Sequence, residues 1–179
     1  MPNRYNTNIA YIGIGSNLGD SMQNINDAIV TMSQNPYIYI LQKSHFYQTA
    51  PIDADGNDYI NAVVCLKTKY PSLELLKFLQ YIEGQFGRER NYINAPRVLD
   101  LDLLMYAQEI YTSDILTIPH PRITQRAFVL VPLLDLDKDI SIPSKGKAIE
   151  YLNRIQKQAI KKVKVNTYAN CAYCVGYSS

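Results

Sequence analysis

The sequence predicts one α+β domain in which helices cover a single antiparallel sheet. A length of 179 residues suits one domain, and 47% apolar with 19% charged residues indicates a folded chain rather than a disordered one. Short apolar stretches alternate with amphipathic ones in the order βαββαβ. This order is the ferredoxin-like arrangement, and two further helices follow it toward the C-terminus.

The first three elements occupy the N-terminal third of the chain. Residues 8–14 are apolar and partly β-branched, which predicts a buried strand. The turn at 15–20 precedes a helix with apolar residues at helical spacing, for which Asp20 or Ser21 is the expected N-cap. Residues 37–48 are rich in Tyr and Ile, and they predict the second strand.

The remaining elements complete the predicted order. Residues 59–68 predict the third strand. Ser72 is the expected N-cap of the second helix, and Gly87 suits the position just after that helix ends. Residues 97–106 predict the fourth strand, and residues 107–150 a short strand with about two helices.

Charge is unevenly distributed along the chain. The formal net charge is +2, yet five basic residues and no acidic one occur from Arg154 onward. Residues 156–179 show no clear periodicity. We therefore predict a domain over residues 1–155 and a basic C-terminal extension over 156–179 of unknown role. Its lysine-rich stretch at 161–164 is expected to be a solvated face or a loose tail.

Cysteine usage and hydropathy indicate a cytoplasmic protein. Three cysteines are an odd count, which argues against a disulfide scaffold and for a reducing compartment. Cys171 and Cys174 form a CxxC, which supplies only half of a zinc site. No run approaches the roughly 18 apolar residues of a spanning helix, and residues 1–8 lack the apolar core of a secretory signal.

Two aspartates in the fourth predicted strand form the strongest candidate site. Asp100 and Asp102 are two residues apart, so they share one face of a strand while leucines share the other. Adjacent carboxylates repel each other unless a cation lies between them. Mg²⁺ prefers oxygen ligands and suits two carboxylates plus substrate phosphates. The alternative is an idle pair on a solvated face, but the leucine-rich surroundings favour a metal site.

The cations around this pair are all arginines. No lysine occurs between Phe78 and Asp137. The five cations of that stretch are Arg88, Arg90, Arg97, Arg122 and Arg126. Their planar guanidinium groups match phosphate oxygens better than a lysine ammonium does, and magnesium with arginine is a common clamp on a transferring phosphoryl group. The alternatives are a chance distribution or ion pairs with acidic residues such as Glu83.

Three other features bear on ligand binding. His120 lies between two prolines among the arginine-bearing segments, which favours a phosphate contact over a purely structural role. Tyr59 and Asn61 share one face of the third strand, where Asn61 could recognise a heteroaromatic edge and Phe128 could stack on it. Ordinary packing is the alternative for these three. The glycines at 13–19 follow GxGxxxG spacing, which favours a tight turn over a dinucleotide-binding loop.

Together these motifs resemble those of the 6-hydroxymethyl-7,8-dihydropterin pyrophosphokinase family, over residues 9–155. The resemblance rests on seven ordered segments: Gly15-Ser16-Asn17-Leu18-Gly19, Phe46-Tyr47-Gln48-Thr49-Ala50-Pro51, Tyr59-Ile60-Asn61-Ala62, residues 83–88, Pro96-Arg97-Val98-Leu99-Asp100-Leu101-Asp102, Pro119-His120-Pro121-Arg122, and residues 126–133. It implies a ferredoxin-like enzyme of folate biosynthesis that moves a pyrophosphoryl group from ATP to a pterin and releases AMP.

The resemblance also implies a role for particular residues. The catalytic group is Arg88, Arg97, Asp100 and Asp102, and the two aspartates would hold two Mg²⁺ ions. ATP would contact Gln80, Arg88, Arg90, Arg97, Leu103, Leu116, Thr117, His120 and Arg126. The pterin would contact Gly15, Thr49, Ala50, Ile52, Tyr59, Asn61 and Phe128. We expect these small molecules as partners, without nucleic acid or membrane, and a monomer as the oligomeric state.

Two departures from the family pattern and two alternative functions accompany this prediction. The sequence Asn94-Ala95-Pro96-Arg97 replaces the usual Trp-Gly-Pro-Arg, and the chain contains no tryptophan. Ile115 stands where an arginine sometimes occurs. A ferredoxin-like RNA-binding module could use the many tyrosines and the basic tail, but it would have no use for the aspartate pair. Another Mg²⁺-dependent nucleotidyltransferase or phosphatase would be distinguished by its products.

Overall fold

The computed structural model describes residues 7–51, 56–87, 98–155 and 158–164. In chain order the elements are β1 (Asn8–Ser16), α1 (Ser21–Ser33), β2 (Ile38–Lys43), β3 (Tyr47–Thr49), β4 (Tyr59–Thr68), α2 (Ser72–Gln85), β5 (Asp100–Tyr106), β6 (Tyr111–Thr112), β7 (Thr117–Ile118), α3 (Ala127–Leu136), β8 (Ser141–Ile142), β9 (Gly146–Lys147), α4 (Ala148–Leu152) and β10 (Lys161–Lys162).

A six-stranded antiparallel sheet organises the fold. Its strand order is β10–β3–β4–β1–β5, and β2 pairs with β4 beside β3. The long central strands β1 and β4 pair along their whole length, from Asn8 opposite Thr68 to Ser16 opposite Ile60. With α1 and α2 inserted between strands, this arrangement confirms the predicted ferredoxin-like α+β fold.

The predicted second strand over 37–48 is interrupted, so this expectation is corrected to two strands. Ser44 lies between β2 and β3, where its backbone N–H donates to the Val63 carbonyl (2.9 Å). Its hydroxyl oxygen also accepts the Val63 N–H (2.9 Å). The pairing of β2 with β4 shifts between Ile40 and Gln42. Such irregularities bend a strand, and here they separate β2 from β3.

The helix ends follow two of the three predictions. The Asp20 carboxylate accepts the Gln23 N–H (3.1 Å), which confirms it as the N-cap of α1. Gly87 follows the end of α2 with φ +79°, the left-handed conformation that glycine adopts without strain. Ser72 is not the N-cap of α2, because Pro71 occupies that position and the Ser72 hydroxyl donates to Glu109 instead (3.0 Å).

The two faces of the sheet bury different cores. One core contains residues of α1 and α2 together with buried side chains of the central strands, including Ile12, Leu66 and Leu101. The other contains residues of α3 and the segments after it together with Val63 and Leu104. Apart from its residues on the central strands, the second core comes from the part of the chain after residue 107, in which the sequence predicts a short strand and about two helices. There the structure has α3, the five-residue α4 and two short ribbons, β6–β7 and β8–β9.

The C-terminal extension includes a short edge strand. Lys162 of β10 pairs with Tyr47 of β3, and the Val163 N–H donates to the Phe46 carbonyl (2.8 Å). Val163 also packs against the core that contains residues of α1 and α2. Residues 161–164 are therefore not a loose tail, although their lysines are exposed as a solvated face would require. The division of the chain at residue 155 stays a prediction.

Two further expectations concern membrane-spanning helices and the CxxC motif. In the described ranges, no helix is long and apolar enough to cross a membrane. Cys171 and Cys174 lie outside the described residues, as does the remainder of the chain after Lys164.

Candidate active site

The aspartate pair lies on β5 as the alternation predicts. Asp100 and Asp102 are partly exposed, whereas Leu99, Leu101 and Leu103 between and beside them are at most 4% exposed. The two carboxylates therefore share the sheet face opposite to α1 and α2, and we call them the acid pair.

A buried glutamate holds the strand at the acid pair. Glu83 of α2 is 3% exposed, and its Oε1 accepts the backbone N–H of Leu101 (2.8 Å). Leu101 lies between the two aspartates, so this bond fixes the backbone from which both project. From the sequence alone, Glu83 is a possible ion-pair partner of the arginines and part of the family-like segment 83–88. Its spacing of four from Leu79, inside the apolar stripe of α2, is the signal that predicts its burial.

Two glycines face the acid pair across the β1–β5 pairing. Gly13 lies opposite Asp102, and Gly15 lies opposite Asp100. A Cβ added to Gly15 would lie 3.4 Å from Asn61 Oδ1, at the short limit of van der Waals contact. Glycine at this position therefore leaves space between the acid pair and Asn61.

A polar cluster extends the same face toward β3. Asn61 is 5% exposed, and its Nδ2 donates to Thr49 Oγ1 (2.9 Å) and to the Tyr47 carbonyl (3.4 Å). These bonds orient the carboxamide so that Oδ1 faces Gly15. Tyr59 pairs with Thr49 at the end of β3 and is partly exposed. The structure thus brings together Gly15, Thr49, Tyr59 and Asn61, which we call the polar cluster.

Arg126 and Phe128 enter the site from the N-terminus of α3. Arg126 Nη1 lies 3.8 Å from Asp102 Oδ2. The same guanidinium lies over the Phe128 ring, with its Cζ 5.2 Å from the centroid. An arginine over an aromatic face is stabilised by the ring quadrupole. Arg126 therefore lies beside the acid pair, and Phe128 lies against Arg126.

His120 has a defined tautomer beside β5. Its backbone N–H donates to the Leu104 carbonyl (2.9 Å), and its ring Nδ1 accepts the Arg122 N–H (3.1 Å). Because Nδ1 accepts, the neutral ring carries its proton on Nε2. Burial and the charges of Arg126 and Arg122 lower the pKa of His120 from 6.5 to about 4, against the opposing effect of Asp100. At neutral pH the ring is thus an uncharged donor.

The other predicted site residues are more dispersed. The Leu103 and Leu116 side chains are buried in the core that contains residues of α1 and α2, so neither side chain shares the face of the acid pair. Gln80 of α2 and Ala50 after β3 are exposed, and Thr117 of β7 is partly exposed. Four further predicted residues lie outside the described residues: Ile52, Arg88, Arg90 and Arg97.

Comparison with known proteins identifies relatives of the chain. The model of the 7,8-dihydro-6-hydroxymethylpterin-pyrophosphokinase (HPPK) family matches residues 11–138. The 2-amino-4-hydroxy-6-hydroxymethyldihydropteridine pyrophosphokinase of Haemophilus influenzae is 36% identical over 158 residues, which are 88% of this chain and 98% of that protein. The folic acid synthesis protein fol1 of Schizosaccharomyces pombe is 35% identical over 155 residues, 86% of this chain.

The extent of the match differs among relatives. The chain covers 21% of the Schizosaccharomyces protein, so it spans about a fifth of that relative. A crystal structure of Plasmodium falciparum HPPK-DHPS with pterin and p-hydroxybenzoate superposes with a TM-score of 0.70 at 15% identity, over 92% of this chain and 46% of that one. This structural likeness supports the fold. On the family match and the identity to these relatives, the chain belongs to the HPPK family.

Proposed function

We propose that this chain transfers the pyrophosphoryl group of ATP to 6-hydroxymethyl-7,8-dihydropterin and releases AMP. One observation carries the proposal: the acid pair, with Arg126 3.8 Å from Asp102, shares a sheet face with the polar cluster around Asn61. In this proposal the acid pair and Arg126 bind the polyphosphate, and the adjoining polar cluster binds the hydrogen-bonding heterocycle. Membership of the HPPK family supports the assignment of both substrates.

The acid pair fits magnesium by the chemistry of its donors. The acid pair offers two carboxylates. Among the residues that the structure describes, no larger group of three or more His, Cys, Asp or Glu side chains is placed to hold a metal ion. Mg²⁺ commonly uses one or two carboxylates and takes its other ligands from phosphates and water. We therefore propose that Asp100 and Asp102 hold two Mg²⁺ ions. Magnesium would neutralise charge on the triphosphate.

The basic residues would bind the phosphates. Arg126 presents a guanidinium that matches phosphate oxygens and already lies against a carboxylate. His120 would donate from Nε2 without adding charge, because its pKa of about 4 keeps the ring neutral. Arg88, Arg90 and Arg97 keep their predicted roles as phosphate ligands.

The polar cluster would bind the pterin. Asn61 presents Oδ1 as an acceptor toward Gly15, because Nδ2 is engaged by Thr49. A pterin carries ring N–H donors that such an oxygen can accept. Phe128, beneath the Arg126 guanidinium, would supply an aromatic face for stacking.

In the proposed reaction, the pterin hydroxymethyl oxygen attacks the β-phosphorus of ATP. The new O–P bond forms as the bond from the β-phosphorus to the α,β-bridging oxygen breaks. AMP leaves with that oxygen, and the hydroxyl proton passes to water. The protein's contribution is mostly alignment of the two substrates and stabilisation of negative charge, as in other phosphoryl transfers. The cytoplasmic location and the monomeric state stay predictions.

The deciding experiment measures nucleotide products with and without the pterin. We expect AMP to form from ATP only when 6-hydroxymethyl-7,8-dihydropterin and Mg²⁺ are present. Asp100→Ala and Asp102→Ala should each reduce kcat/KM by about a thousandfold, because a lost metal ligand costs several kcal/mol in the transition state. Asp114→Ala, which changes an exposed acid outside the pair, serves as the control. Release of ADP, or AMP formation without pterin, would contradict the proposal.

A further inference from the structure

The Gln158 side chain forms hydrogen bonds to the peptide groups on both sides of Arg126. The Ala127 N–H donates to Gln158 Oε1 (2.8 Å), and Gln158 Nε2 donates to the Gln125 carbonyl (2.8 Å). A backbone N–H can only donate and a carbonyl can only accept, so the two bonds together determine the orientation of the amide. We call this pair of bonds the Gln158 clamp.

The clamp supplies a hydrogen-bond acceptor for the N-terminus of α3. Arg126 is the N-cap of α3, and its side chain makes no capping hydrogen bond. The first N–H groups of a helix have no partner within the helix. Ala127 is 2% exposed, so its N–H would otherwise need a partner in a site with little access to water. Gln158 Oε1 satisfies that N–H from outside the helix.

The clamp bonds the backbone of Arg126, whose side chain belongs to the candidate active site. Arg126 projects from the clamped backbone to within 3.8 Å of Asp102, and its guanidinium lies over Phe128. A guanidinium held in one geometry loses less entropy when it binds a phosphate. The position of the Arg126 backbone therefore bears directly on its ability to bind phosphate.

Gln158 comes from the C-terminal extension, beyond residues 11–138 that the family model matches. The extension is fixed to the sheet by β10, in which Lys161 pairs with Gln48 and Lys162 pairs with Tyr47. The packing of Val163 against the core adds a second anchor. The clamp is thus attached to the edge of the same sheet that carries the acid pair.

We propose that Gln158 is a positioning residue for catalysis, and that the C-terminal extension completes the active site by holding Arg126 through the Gln158 clamp. This inference rests on the proposed function, in which Arg126 binds a phosphate of ATP. It gives the extension a role that neither its charge nor its sequence pattern predicts.

The test is a double-mutant cycle between Gln158 and Arg126. Gln158→Met retains the length of the side chain and removes both hydrogen-bonding groups, and Lys161→Ala is the control in the same segment. In the wild-type background we expect Gln158→Met to lower kcat/KM for ATP about tenfold, since two hydrogen bonds are lost. In an Arg126→Ala background the same change should cost less than about twofold, because its effect acts through Arg126. Equal losses in the two backgrounds would overturn the proposal.

A second measurement separates this inference from the proposed function. Hydrogen exchange of the Ala127 amide, measured without substrates, should be about tenfold faster in Gln158→Met than in Lys161→Ala. If the wild-type chain forms no pterin-dependent AMP, the proposed function fails while faster exchange still supports the clamp. Unchanged exchange at Ala127 overturns the clamp whatever the activity.

Discussion

Protonation of His120 should destabilise the folded chain between about pH 6.5 and pH 4. The folded-state pKa is about 4, below the ordinary 6.5, because burial and then Arg126 and Arg122 disfavour the charged ring. Between these values the unfolded chain binds a proton at this position that the folded chain does not. Stability from His120 is therefore fully present above pH 6.5 and is lost as the pH falls toward 4.

The size of the effect follows from the shift. A difference of 2.5 between 6.5 and about 4 corresponds to about 3 kcal/mol, at 1.36 kcal/mol for each unit. His120 is only partly buried, so screening by solvent reduces this to about 2 kcal/mol. Urea unfolding at half-unit steps from pH 4 to pH 7.5 would measure it. The ring proton shifts in an NMR titration would report the pKa directly.

The chain provides a matched control, because it contains two histidines. In His120→Gln, the decrease in unfolding free energy over this pH range should be about 2 kcal/mol smaller than in the wild type. His45→Gln changes the other imidazole, which contacts Asp135 of α3 (2.7 Å), and should leave the His120 contribution in place. A His120 titration near pH 6.5, or the same pH profile in His120→Gln as in wild type, would refute the reasoning.

Three further changes test contacts around the site. Thr49→Val removes the acceptor of the Asn61 Nδ2 bond and should raise KM for the pterin about fivefold with kcat little changed. The control Thr112→Val changes an exposed threonine and should leave KM unaltered. An unchanged KM in Thr49→Val would contradict the role of this bond. Glu83→Ala leaves the Leu101 N–H without this acceptor and should lower the unfolding free energy by about 3 kcal/mol in urea titration. Glu83→Gln keeps an acceptor oxygen, so it should lower the unfolding free energy by less. Equal losses of unfolding free energy in the two variants would argue against this bond. Val163→Ala should cost about 1 kcal/mol in thermal unfolding, because its side chain packs on the core, and an unchanged Tm would be inconsistent with that packing.

Features with a local cause could be predicted from the sequence. The placement of Asp100 and Asp102 on one face follows from the period of two along a strand, whatever that strand pairs with. The Asp20 cap depends on a backbone N–H three residues away, and Gly87 depends on its own backbone conformation. Each of these is decided within a few residues.

Features that depend on distant partners could not be predicted in this way. The interruption at Ser44 results from its two hydrogen bonds with Val63, nineteen residues away. Ser72 is a plausible cap by composition, but its hydroxyl bonds with Glu109 instead. The Gln158 clamp joins residues more than thirty positions apart, and the two-residue β10 is too short to show a period.

The strand register explains why core and candidate site adjoin on one sheet face. One row across β4, β1 and β5 contains Val63, Gly13 and Asp102, and the next row on that face contains Asn61, Gly15 and Asp100. Val63 belongs to the apolar core that includes residues of α3, whereas Asn61 belongs to the polar cluster. On β4, the step of two residues from Val63 to Asn61 therefore leads from the apolar core to the polar cluster. Arg126 occupies the N-cap position of α3, so the helix that packs on the apolar core also places this arginine beside Asp102. A substitution that shifts α3 should consequently displace the Arg126 side chain more than that of Asn61, because Asn61 is hydrogen-bonded to Thr49 of β3.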